Sequence, residues 1–457
     1  MSIPLDRLYH YLEDLISDDV IIYRWSPHGS KKIDDLVIND PTRSPKSLED
    51  QLIKIYMICH DQEPLFYDYY TFDTCLAKAV KIAEKTDHPD VELAWYHSDK
   101  FLKEMAKSHL RVGLGALAIV NLHDMFLLCH SEKNSEQLKR YEQNGFIGVY
   151  YWSHALIARD WFRFAEHDPK LSVNFDDITH DFLIYNRAWS GTREYRLKFN
   201  ELIVNNNLLP SCNIKFNPWD NDQHYTNHQF VNNSLSISRS NFEDIMLLNS
   251  VPSSASADYV NSDYSTSGIE IILETLFDDS RNHLTEKTLR PIACGCPFML
   301  AGTPGSLEYL RSYGFKTFNG LIDETYDTIA DPAERLTCIV NEMKRISNLS
   351  NHDKKILWTE LYKISGYNKS RFFSNEFHND IVSEYVGNVD IGIQKCKRTM
   401  TGKWWNLVHD PDIIGGEPSI TEYTTNLEAW LNKNFTKDQW GVLSMVPSQL
   451  SPGSFSA

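Results

Sequence analysis

FLIYNRAWSGTREYRLKFN, residues 182–200, is the stretch from which the fold is read. Phe182-Leu183-Ile184-Tyr185 is a short apolar run of strand length, and residues 191–206 carry the apolar spacing and charges of a helix. A strand that turns through a polar loop into a helix is one βα unit of a mostly parallel sheet. The alternation continues downstream. Strands are expected over 212–216, 269–273 and 297–301, and helices over 286–293 and 304–313. From Pro332 to about Tyr385 the pattern is helical, clearest in ERLTCIVNEMKRI.

Upstream, the runs at 21–25, 53–59, 91–96 and 125–129 read as buried strands, with helical patterns at 78–85 and 134–143 between them. The βα pattern thus restarts near residue 180. The expected architecture is α/β: two Rossmann-like doubly wound domains facing a cleft, one over 1–175 and one over 176–390. Residues 217–268 are rich in Asn, Ser and Asp and read as an irregular insertion with a short helix at 241–248. Residues 391–457 form a partly irregular extension that ends in SMVPSQLSPGSFSA, a Ser- and Pro-rich run.

A chain of 457 residues exceeds what one hydrophobic core usually serves, in keeping with two domains. Hydrophobic residues at 42% and charged residues at 23% exclude a disordered chain. Acidic residues outnumber basic ones by 62 to 45, and the resulting charge of -17 disfavours nucleic acid as a general partner. The 11 Trp, 23 Tyr and 22 Phe supply flat amphipathic surfaces suited to sugars and bases, and equally a large aromatic core. Cys294 and Cys296 are one residue apart in an apolar run, which is not a zinc or redox spacing and reads as buried free thiols. The acidic start MSIPLDRLYHYLEDLISDD reads as an amphipathic helix rather than a signal peptide, and no apolar run reaches membrane-spanning length. A cytosolic protein with no membrane partner is therefore expected.

Thr285 is a good helix N-cap with Glu286 in the first turn, and a helix N-terminus at a strand end offers backbone N–H groups to a phosphate. Lys287 adds a full charge, and Glu286 can accept hydrogen bonds from ribose hydroxyls. Arg187, Arg193, Arg196 and Lys198 surround the turn after the 182–185 strand, as a diphosphate site requires. A solvated helix face accounts for Arg196 and Lys198 equally well.

The run LTEKTLRPIACGCPFMLAG, with ILETLFDDSRNH before it and YNRAWSGTREYR further upstream, resembles the donor-binding motif of family 10 glycosyltransferases, the fucosyltransferase-like group. It also resembles uncharacterised viral and bacterial proteins that carry the same Thr-Glu-Lys-Thr and Gly-Phe-Lys-Thr-Phe segments. The resemblance implies a GT-B glycosyltransferase with a nucleotide-diphosphate sugar as co-substrate, and neither metal nor resident cofactor. It implies that Lys287 and Arg193 hold the diphosphate and that Glu286 contacts the ribose. Thr288 and Pro291 depart from the family's helix pattern, as does the continuation GSLEYLRSYGFKTFNGLIDETYD.

The resemblance further implies inversion, with a general base in the first domain. In KIYMICHDQEPLFYDYY a strand runs into His60-Asp61-Gln62-Glu63-Pro64, so Glu63 and then Asp61 are the candidate bases; a capping carboxylate in a polar loop is the other reading. Eight positions beyond Glu286 stands Cys294, so the paired glutamates of retaining relatives are absent. Tyr151, Trp152 and His154 can form an acceptor platform, and helix packing explains them as well. The acceptor is a glycan or another hydroxyl compound; a modified DNA base is disfavoured by the acidity. A non-catalytic nucleotide- or glycan-binding protein and a viral structural protein are the alternatives.

Overall fold

The structure is a computed structural model that describes residues 11–12, 14–16, 20–25, 55–60, 126–131, 138–139, 142, 147–220, 222–231, 235 and 258–408. The chain forms two compact units. One comprises Met1–Ser131, Gln137–Tyr151 and Glu384–Ala457; the other comprises Glu132–Glu136 and Trp152–Ser383. The expected boundary at 175 therefore moves back to Trp152. The reason is that α1 (Ser153–Trp161) lies against a helix of the second unit, described below.

In the first unit β1 (Val20–Trp25), β2 (Ile55–His60), β3 (Phe126–His130) and β4 (Ile147–Tyr150) form a parallel sheet in that order. Strands were expected close to the first three of these. The strand at 91–96 and the helix at 78–85 lie outside the described residues.

The second unit is built on β5 (His180–Asn186), β6 (Cys212–Phe216), β9 (Ser267–Leu273) and β10 (Phe298–Ala301). The order is β10-β9-β5-β6 and every pairing is parallel. All residues of β9 and β10 are buried, which is why these strands are mostly apolar without alternation, Glu270 being the buried charged exception.

The expected helix over 191–206 divides into a tight 3-10 turn at Gly191–Arg193 and α2 (Tyr195–Asn205). Within 217–268 the described residues include regular elements. The chain forms the hairpin of β7 (Trp219–Asp220) and β8 (Gln223–His224), then α3 (Asn261–Ser265) before β9 begins. The helix expected at 241–248 lies outside the described residues.

The helices that follow are α4 (Glu286–Cys294), α5 (Ser306–Ser312), α6 (Pro332–Ser347), α7 (Asn351–Phe373) and α8 (Asn375–Val408). Gly295 at φ 72° ends α4 in a left-handed turn, a conformation that costs glycine little. Cys294 and Cys296 flank it as buried free thiols. α4 packs against α1 and α7, whereas α2 packs against α6. α8 starts in the second unit and continues into the first, so the extension expected to be partly irregular from 391 is helical to Val408. There Gly392 admits Leu127 and Val149 so closely that a Cβ would stand 2.9 Å and 3.0 Å from their side chains. Among the described residues no helix is long and apolar enough to cross a membrane.

One buried ionic cluster locks α4 to the sheet. Arg290 donates through Nη2 to Glu270 at 2.6 Å and through Nε to the Tyr264 hydroxyl at 3.0 Å, and Tyr264 donates to Glu270 at 2.6 Å. The guanidinium also lies 4.2 Å from the Tyr185 ring centroid. Burial pushes the Glu270 carboxyl up against the opposing pull of Arg290. Removing one partner of such a pair leaves a buried charge, at a cost of about 3–5 kcal/mol, while exchanging both for apolar residues is close to neutral. Arg290→Ala is expected to lower stability in urea unfolding by that amount, and Glu270→Leu with Arg290→Met to recover most of it. A double variant as unstable as Arg290→Ala would contradict this account.

Candidate functional site

β5 connects forward to β6 on one side, while β9 lies on its other side and connects onward to β10. Where the connections of two adjacent parallel strands part in this way, a crevice opens at their carboxyl ends. The carboxyl end of β5 leads into Arg187 and the Gly191–Arg193 turn. The carboxyl end of β9 leads into Glu274 and Thr275, and eleven residues later the chain returns to the same edge as the start of α4.

Glu274, fully buried, holds this edge together. Its carboxylate accepts from the backbone N–H of Thr275 at 3.1 Å, Thr285 at 2.9 Å and Thr288 at 3.2 Å, and from the hydroxyls of Thr285 at 2.8 Å and Thr288 at 2.6 Å. Thr285 is the N-cap of α4 as expected, accepting from Lys287 N–H at 3.3 Å. The N–H groups of Thr285 and Thr288 are nonetheless committed to Glu274, so the helix N-terminus offers a ligand fewer backbone donors than the sequence suggested. Glu274 was missed in the sequence because a strand-end glutamate identifies its partners only once α4 is known to return beside it.

The turn that carries Arg193 and the side chain of Lys287 both reach Thr275. Thr192, adjacent to Arg193, donates its hydroxyl to the Thr275 carbonyl at 3.0 Å, and the Lys287 ammonium donates to the Thr275 hydroxyl at 3.3 Å. Lys287 also pairs with Glu286 at 2.8 Å. Arg187 and Arg193 are half-buried, and Arg193 donates through Nε to the Ser190 carbonyl at 3.2 Å.

Arg196 corrects one expectation. It is 2% exposed, and its guanidinium donates to the carbonyls of Ala188 at 2.6 Å, Leu273 at 2.6 Å and Glu274 at 3.0 Å. It points inward from α2 and closes the ends of β5 and β9, so its charge serves backbone carbonyls rather than a diphosphate. Tyr195 reinforces this with its hydroxyl on the Glu274 carbonyl at 2.5 Å.

The acceptor platform expected at Tyr151, Trp152 and His154 is not presented at the surface: their exposures are 3%, 1% and 3%. Trp152 donates its indole N–H to the Leu284 carbonyl at 2.8 Å and packs among Tyr309, Tyr313, Phe315 and Phe377. Tyr151 belongs to the first unit and packs on Tyr385. Glu63 and Asp61 lie outside the described residues.

His154 instead stands behind Glu286. Its Nδ1 is 3.8 Å from the Glu286 carboxylate, and its ring meets His283 edge to face at 4.9 Å. Burial and then the neighbouring His283 lower its pKa to about 3, so the ring is neutral near pH 7. Burial works against the Glu286 carboxylate too, but the charge of Lys287 and then that of His154 hold its pKa at about 2. The site thus holds a buried, ionised carboxylate paired with the Lys287 ammonium group, and Arg193 lies on the neighbouring turn.

No protein-family model, curated protein or solved structure matches the chain.

The buried imidazole sets a pH dependence. Its pKa falls from 6.5 to about 3 on folding, so the unfolded chain binds more protons between those values and stability is lost as pH falls below 6.5. The slope contributed is at most about 1.4 kcal/mol per pH unit. In urea titrations from pH 7 to 4, His154→Phe is expected to flatten the decline relative to the parent chain. An unchanged slope would show that His154 protonates freely in the fold.

Proposed function

We propose that the second unit binds the diphosphate of a nucleotide sugar and that the chain is a glycosyltransferase of GT-B type, built from two Rossmann-like domains. One observation carries the reading. The turn bearing Arg193 and the helix start bearing Glu286 and Lys287 converge on Thr275, at the strand pair where the connections part. The all-parallel order β6-β5-β9-β10 supports the reading, because doubly wound sheets with such an order bind ligands at the switch point. The Thr-Glu-Lys resemblance assigns the same residues to the donor.

In this reading the acceptor oxygen bonds to the anomeric carbon as the bond from that carbon to the diphosphate breaks. The nucleoside diphosphate leaves with its negative charge compensated by Arg193 and Lys287, without a metal ion. Ionised Glu286 accepts from the ribose hydroxyls. Glu63 or Asp61 takes the acceptor proton as general base, and attack from the face opposite the leaving diphosphate gives inversion. Arg187 adds positive charge at the same edge. The acceptor class is a glycan or another hydroxyl compound.

A charge-assisted hydrogen bond to phosphate contributes about 1.5–3 kcal/mol, or roughly 10–100-fold in affinity. In a thermal-shift screen of UDP, GDP, CMP and dTDP, one nucleotide is expected to raise Tm. Lys287→Ala and Arg193→Ala are each expected to weaken its binding by that factor. No shift with any nucleotide would remove the donor-site reading, and binding without sugar transfer to any acceptor would make the chain a binding module.

A further inference from the structure

Internal carboxylates occupy three groups of backbone N–H donors beyond the strand ends of the second unit. Glu274 takes those at the start of α4. Asp327 takes the Leu307 N–H in the first turn of α5, at 3.1 Å and 3.2 Å from its two oxygens. Asp220 takes those after β5: its Oδ2 accepts from Trp189 N–H at 2.9 Å and Ser190 N–H at 2.7 Å. The Ser190 hydroxyl bonds the same carboxylate and Arg193 lends its charge. Burial alone would disfavour the Asp220 anion, yet these donors hold its carboxyl below the usual range.

The three differ in how firmly they are set. Glu274 is 0% exposed and Asp327 6%, each wedged into the fold. Asp220 is half-buried and rides on the small β7–β8 hairpin. Its neighbour Trp219 is 55% exposed and packs on His224, within the same hairpin. The hairpin is tied at its base, where Asn217 N–H donates to the Asn186 carbonyl at 3.0 Å and Trp189 Nε1 donates to the Asn217 carbonyl at 3.1 Å. A side chain on such an element can leave its partners without disturbing the sheet.

We propose that the turn after β5 is a phosphoryl-binding nest and that Asp220 competes with the ligand for it. Two consecutive backbone N–H groups on one anionic oxygen, with a hydroxyl on the same carboxylate and the charge of a nearby guanidinium, are the donor set that recognises a phosphoryl group. The first βα turn beside a strand switch point is where a doubly wound sheet places one. The ligand's phosphoryl oxygen takes the position of Asp220 Oδ2, and the Asp220 side chain turns to solvent. The carboxylate thereby keeps the donors paired and repels weakly bound anions. This inference rests on the nucleotide-diphosphate reading above and adds Trp189, Ser190 and Asp220 to it.

The test is calorimetric titration of the full chain, Asp220→Asn and Asp220→Ala with inorganic pyrophosphate and with UDP and GDP at pH 7. Asp220→Asn keeps an acceptor oxygen for both N–H groups but removes the charge, so it decides the matter even where Asp220→Ala does not fold. Pyrophosphate is expected to bind Asp220→Asn about tenfold more tightly than the parent chain. Adding Arg193→Ala to Asp220→Asn is expected to erase the gain. If the parent chain binds a nucleotide and Asp220→Asn, with unchanged Tm, binds no more tightly, Asp220 is a fixed cross-link; the inference fails while the donor reading stands. If neither chain binds pyrophosphate or a nucleotide, both fail.

Discussion

Glu274 stands fully buried at the carboxyl end of β9, and a carboxylate is tolerated there because five hydrogen bonds from Thr275, Thr285 and Thr288 surround it. Those bonds fix where α4 begins. The start of α4 in turn fixes Glu286 and Lys287, and Lys287 reaches back to Thr275, the residue after Glu274. The Glu274 carbonyl is held as firmly as its side chain, by Tyr195 and Arg196 of α2. A single residue therefore sets the spacing between the turn after β5 and the helix after β9. Lower in the sheet, Arg290 and Glu270 clamp α4 a second time.

The charges on this edge follow a division of labour. Arg196 and Arg290 are spent on the interior, one on carbonyls and the other on a buried glutamate. Lys287, Arg187 and Arg193 remain only partly buried at the same edge. In a chain whose net charge is -17, these basic groups stand against the average field. The internal carboxylates Glu274, Asp220 and Asp327 each accept from backbone N–H groups near strand ends of the same sheet.

Much of the second unit was legible because β9 and β10 are buried on both faces and α4, α6 and α7 begin at side-chain caps. The apolar runs at 182–185 and 269–273 and the Thr285 cap announce themselves locally. Long-range pairing does not. Arg196 looked like one of a basic cluster, since nothing in 185–198 shows that its helix turns it toward the ends of β5 and β9. Trp152 and His154 looked like a platform because aromatic and polar groups alternate there, and what buries them comes from far along the chain: Tyr309, Tyr313, Phe315 and Phe377 around Trp152, and His283 and Glu286 beside His154. Asp220 lay in a polar stretch without periodicity, where a two-residue strand leaves no pattern to read. His283 was likewise passed over, its partner His154 lying far away in sequence.

The central claim is that the carboxyl ends of β5 and β9 hold a nucleotide diphosphate. Hydrogen–deuterium exchange of the full chain, with and without saturating UDP or GDP, tests it most directly. The account predicts slower exchange over 186–193 and 274–288 with one of the two nucleotides, and no change at the Gly392 contact. Unchanged exchange over both segments, or protection confined to other parts of the chain, would contradict it.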